Sequence, residues 1–229
     1  MKLKYILPVL FLVFALSSCS NDDNDTPEVN EIEGLLKIKD LTNSNHTIEL
    51  FNSIGAFKTG YNAVSIRVKD IATNTYIENA SITWIPIMQM NTMQHSCPYS
   101  SVSKALGKDT VYEGYIVYQM TNLDGSGWSL TVNYNINGVD YTVTDTITVM
   151  QNENQNVTSF MASDGSRYVI AMIEPKTPKI AINNLKVGLY KMQSMMSFPE
   201  VADYTITLDP RMPGMGNHSS PNNTDLSYN

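Results

Sequence analysis

The chain is poor in the residues on which most metal and acid–base chemistry depends. Of 229 residues, two are cysteine, three are histidine and two are tryptophan. Two cysteines cannot frame a disulfide-stapled domain, and no C-x-x-C pair is present for redox work. There is no H-E-x-x-H, no nucleophile elbow and no phosphate-binding loop. With so few imidazoles an acid–base catalyst would have to recruit isolated carboxylates, and no spacing marks any pair, so the chain is read as a non-enzyme. Basic residues are short as well: 15 Lys and Arg stand against 22 Asp and Glu, a formal charge of −7. Nucleic-acid binding rests on neutralising phosphates with cations, so this balance argues against a nucleic-acid partner. The acidic residues are scattered and lack EF-hand spacing. Beyond the N-terminus there is no 3.6-residue periodicity and no apolar run long enough to cross a membrane.

What is present begins with MKLKYILPVLFLVFALSSC. Lys2 and Lys4 precede an apolar run of eleven residues, Ile6 to Leu16. That run is short for a bilayer span and reads as a secretory signal covering residues 1–18. Leu16-Ser17-Ser18-Cys19 resembles a bacterial lipobox, in which cleavage precedes a cysteine that is then acylated. Several acyl chains on Cys19 would anchor the protein stably, where a single chain would be marginal. The following SNDDNDTPEVNE reads as a solvated tether over residues 19–30, and it also resembles the acidic export signal of bacterial surface lipoproteins. The expected location is the outer membrane, on its periplasmic or its surface face. Without Lys2 and Lys4 the formal charge falls from −7 to −9. If Cys19 carries lipid, Cys97 has no disulfide partner, although the compartment is oxidising.

The body of the chain alternates short β-rich runs with Asn, Asp and Gly, which predicts an all-β fold of antiparallel sandwiches. Strands are expected at 46–52, 61–70, 79–87, 112–120, 127–136 and 139–150. Asn137-Gly138 suits a two-residue type I′ hairpin turn. A first domain is expected over 31–150, a linker or loop over 151–166, and a second β-rich domain over 167–229, including a strand in DYTITLD (203–209). The two regions look like copies. Thr83-Trp84-Ile85-Pro86-Ile87-Met88 parallels Thr207-Leu208-Asp209-Pro210-Arg211-Met212, and His95-Ser96-Cys97-Pro98 parallels His218-Ser219-Ser220-Pro221. Repetition of this kind indicates a duplicated structural unit. The second copy has eight residues after Pro221 where the first has further strands, so the expectation is a fragment, or strands supplied by another chain.

The repeated loop carries the chemistry. In the first copy, MQMNTMQHSCP places Met88, Met90, Met93, His95 and Cys97 within ten residues. The second, MPGMGNHSSP, holds Met212, Met215 and His218, with Pro213-Gly214 suited to a tight turn. A thioether is soft and has no proton to lose; thioethers with one imidazole suit Cu(I). Period-two alternation would put Met88 with Met90 on one face, and Met93 with His95 on one face. Cys97 reads either as a thiolate ligand or as a small buried residue. His46 and the tryptophans Trp84 and Trp128 read as structural. Met192, Met195 and Met196 form a further cluster without a histidine and read as core or interface.

MPGMGNHSSP resembles the Met/His loop of the YtkA-like domain family, with YEG at Tyr112–Gly114 and Gly127-Trp128 in similar context. The resemblance covers about residues 55–135 and 180–229. It implies small immunoglobulin-like sandwiches in exported or membrane-anchored proteins associated with copper handling. The first copy departs from the pattern by losing the Pro-Gly turn and gaining a methionine. The expected function is therefore an exported lipoprotein that binds Cu(I) for storage, delivery or tolerance, with a copper donor or acceptor protein as partner. The alternatives are a surface interaction module for protein or glycan, with the methionines as packing, or a subunit of an efflux assembly.

Overall fold

The computed structural model describes residues 30–123 and 125–228. The signal segment, Cys19 and all of the tether except Asn30 lie outside the described residues. Glu31–Asn229 forms one compact unit. Its strands are β1 (Leu36–Thr42), β2 (His46–Asn52), β3 (Phe57–Lys58), β4 (Gly60–Asp70), β5 (Ala80–Gln89), β6 (Gln94–His95), β7 (Ser103–Lys104) and β8 (Val111–Tyr118). There follow β9 (Gly127–Ile136), β10 (Val139–Ile147), β11 (Val149–Met150), β12 (Val157–Met161), β13 (Arg167–Glu174), β14 (Lys186–Lys191), β15 (Arg211–Met212) and β16 (His218–Ser219). The protein is all-β, as its alternating runs predict.

Two antiparallel sheets form a sandwich. One runs β1-β2-β4-β8-β7 and the other β10-β9-β5-β6. Period two decides what lies between them. Val64, Ile66 and Val68 of β4 are buried with Ile82, Trp84 and Met88 of β5 and with Trp128, Leu130, Val132 and Tyr134 of β9. Trp84 donates its indole N–H to the Ser100 carbonyl at 2.8 Å, and Trp128 donates to Met120 at 2.9 Å. Both tryptophans are core aromatics, as read from the sequence. The Asn137-Gly138 turn forms as expected: both residues have positive φ, 52° and 85°, and Ile136 pairs with Val139. His46 is buried and structural, with Nδ1 3.1 Å from the Tyr134 hydroxyl and its ring edge-on to Tyr141.

β1 has no counterpart in the sequence expectation. Of its seven residues only Leu41 is buried, so a charged edge strand gives almost no period-two signal. Residues 157–161, expected as linker, form β12, which pairs with β13 and, through it, β14. This three-stranded sheet lies on the outer face of the five-stranded one. Val117 of β8, whose neighbours Ile116 and Tyr118 point into the sandwich, turns outward onto Val169, Ala171 and Tyr190, flanked by Tyr61 and Tyr115. Residues 203–209, expected as a strand, hold only the isolated bridge Ile206 to Leu226. Their alternation is strand-like, but among the described residues no neighbouring strand lies alongside to complete a ladder.

Candidate metal-binding hairpins

The first candidate loop is a hairpin at the edge of the second sheet. β5 ends at Gln89 and β6 returns antiparallel, with Met88 opposite His95 and Gln89 opposite Gln94. The turn is closed by the Met90 N–H donating to the Met93 carbonyl at 2.9 Å. β6 spans two residues, so Pro86, four residues before the turn, has a strand neighbour on the β9 side only. A residue without an N–H is tolerated there. Met88 is also opposite Trp128 of β9, which makes a row Trp128–Met88–His95 across the sheet. The imidazole stands nearly perpendicular to the indole, with centroids 5.6 Å apart.

The second loop is also a hairpin. β15 pairs with β16, with Met212 opposite His218. Pro213–Met215 form a 3₁₀ turn, and Gly216 and Asn217 reverse the chain at φ 72° and 55°. Asn217 then donates its N–H to the Met212 carbonyl at 3.0 Å. Both loops therefore place a methionine directly across from a histidine.

The two imidazoles are held alike. Nδ1 of His95 donates to the Ser96 carbonyl at 2.8 Å, and Nδ1 of His218 donates to the Met215 carbonyl at 2.6 Å. A carbonyl only accepts, so the proton of each neutral ring is on Nδ1 and the lone pair is on Nε2. That is the tautomer and orientation a metal-binding histidine needs.

The thioethers and the thiol are not equivalent. Met88 and Cys97 are fully buried in the sandwich core, and Met90 packs half-buried against it. Met93 is half exposed, Met212 and Met215 are exposed, and His95 is half-buried while His218 is exposed. Burial pushes the Cys97 thiol well above its usual range, so the thiolate needed for ligation is disfavoured. Of the two sequence readings of Cys97, the structure shows the buried one. Met88 likewise has no solvent-facing sulfur, because period two points position 88 inward with Trp84 and Ile82. Met90, one residue past the end of β5, packs half-buried against the same core that holds Met88. The donors not fully buried are thus Met90, Met93 and His95 in the first hairpin and Met212, Met215 and His218 in the second.

Ser96 carries no signal in the sequence beyond its place in the repeated H-S-x-P. Its hydroxyl donates to the Pro86 carbonyl at 2.7 Å, and its N–H donates to the Met195 carbonyl at 2.8 Å. Comparison with protein-family models, with curated proteins and with solved structures finds no match. Fold and site together define the class: an all-β sandwich protein carrying two Met–His hairpins.

Proposed function

We propose that this chain is an exported lipoprotein, YtkA-like in its hairpins, that binds Cu(I) for storage, delivery or tolerance. It sits at the outer membrane through acylated Cys19, performs no catalysis, and exchanges the ion with a donor or acceptor protein. One observation carries the reading: each hairpin carries a histidine and an exposed methionine, Met93 or Met212, and each imidazole has its Nδ1 held by a backbone carbonyl, which leaves the lone pair on Nε2. Thioethers and imidazole are the donors that favour a soft monovalent ion over Ca²⁺ or Mg²⁺. A competitive Cu(I) titration of the exported protein under reducing conditions tests it. We expect binding that a His95→Ala/His218→Ala variant weakens by about tenfold or more. Well-folded protein that takes up no Cu(I) overturns the reading.

A second reading, a surface module that binds protein or glycan, has its own observation. Ile180 and Ile182 are essentially fully exposed, beside a groove of about 1210 Å³ lined in part by Leu185, Val187, Val201 and Leu226. Exposed apolar side chains of this kind mark interaction surfaces. Under that reading the double histidine variant keeps its partner and the wild type shows no Cu(I) uptake.

A further inference from the structure

The first hairpin offers solvent one exposed thioether, Met93, with Met90 and His95 half-buried, a sparse set for a soft cation. The tertiary structure ties a turn that carries two more thioethers to Ser96, the residue after His95. After β14 the chain continues along β13, with the Met192 N–H donating to the Arg167 carbonyl at 2.9 Å. It then reverses at Ser194-Met195-Met196-Ser197, where Ser194 and Ser197 exchange backbone hydrogen bonds at 3.3 Å in both directions. The Met196 N–H donates to the Ser194 hydroxyl at 3.2 Å, which closes the corner. Met195 and Met196 occupy the two corner positions and are 39% and 40% exposed. Apolar side chains at a tight turn are unusual, since such corners favour Gly, Asn, Asp and Ser.

Ser96 fastens this corner to the first hairpin. Its carbonyl accepts the Nδ1 proton of His95, and its N–H donates to the Met195 carbonyl. One peptide-linked residue, itself tied to β5 through the Pro86 carbonyl, therefore orients the imidazole and positions the methionine corner. The donors carried by the two joined segments are thioether and imidazole, which suit a soft cation. We propose that Met195 and Met196 complete, with Met93 and His95, a Cu(I) site at the junction of the first hairpin and the 194–197 turn. This inference rests on the Cu(I) reading of the hairpins. It makes the two hairpins separate sites, the first assembled from segments about a hundred residues apart and the second from Met212, Met215 and His218 alone.

The test is a competitive Cu(I) titration of the exported protein in a background that removes the second site, Met212→Leu/Met215→Leu/His218→Ala. We expect that background to take up one Cu(I) per chain. Adding Met195→Leu/Met196→Leu should weaken uptake by about tenfold or more, as should adding His95→Ala. X-ray absorption of the loaded background should show at least two sulfur neighbours and a nitrogen. Leucine conserves volume at exposed positions, and unchanged circular dichroism and thermal unfolding without metal confirm an intact fold. Equal uptake with and without Met195 and Met196 overturns this inference while the Cu(I) reading stands. No uptake by the wild-type protein overturns both.

Discussion

A methionine is either packing or a donor according to the side of the strand on which it falls. Met88 lies in β5 at an inward position and touches solvent nowhere, whereas Met93 sits in the turn and is half exposed. Met88→Ala should lower the unfolding free energy by about 2–5 kcal/mol, the range for truncating a buried methionine. Met93→Ala should stay within about 0.5 kcal/mol of wild type. Urea denaturation of the two variants measures the difference, and equal midpoints would show that Met88 is not a core residue. The same logic separates Cys97 from Ser220, its partner in the repeat. Residue type marked both loops as candidate soft sites, but nothing in the spelling of MQMNTMQHSCP says that its first methionine and its cysteine face the core.

Hairpins and strands were largely readable because their signals are local. Asn137-Gly138 needs only the positive φ that these two residues adopt at low cost, and the burial of β4, β5 and β9 follows their period-two alternation. Element-scale packing shows most plainly at Gly114 in β8. A Cβ there would stand 2.7 Å from Cζ2 of Trp84 and 2.9 Å from the Ser100 hydroxyl, so the missing side chain is what lets the indole lie against the strand. Gly114→Ala should cost about 1–3 kcal/mol through overpacking, with a changed near-ultraviolet spectrum from the displaced tryptophan. An unaltered urea midpoint and spectrum would show that the strand can yield at that point. The expected strand at 203–209 is the converse case: its alternation is local, whereas a ladder requires a neighbour that alternation does not supply.

Across the molecule, the outer three-stranded sheet meets the sandwich through a cluster of tyrosines. Tyr61 and Tyr115 have ring centroids 4.9 Å apart, and Tyr115 and Tyr190 6.2 Å. Burial pushes the Tyr61 phenol up to about 12, helped by the neighbouring Tyr115 and by the carboxylates of Glu200, Glu113 and Glu174. A raised folded-state value means that the neutral phenol is the form the fold favours. Its contribution is complete below the unfolded value near 10 and is lost as pH rises towards 12. Urea midpoints taken from pH 9 to 12 should therefore fall over that interval, and the fall should be shallower in Tyr61→Phe. A Phe variant with the same alkaline profile as wild type would place the loss elsewhere.

What the amino-acid sequence determined by itself was the class of structure and the chemistry available: β-strands from alternation, a hairpin from Asn-Gly, a duplicated Met–His loop, and too few cysteines and histidines for most other sites. These are properties of neighbours along the chain, whose backbone geometry fixes how side chains alternate. Only the tertiary structure decided which donors face solvent, because burial depends on the sheet that lies opposite. It also decided that the 194–197 turn meets Ser96, a contact between segments about a hundred residues apart. That contact is set by the docking of β12–β14 on the outer face of the sandwich, through Val117, Val169, Ala171 and Tyr190. Apolar burial is non-directional, so these side chains do not encode in their spacing the surface on which they will pack.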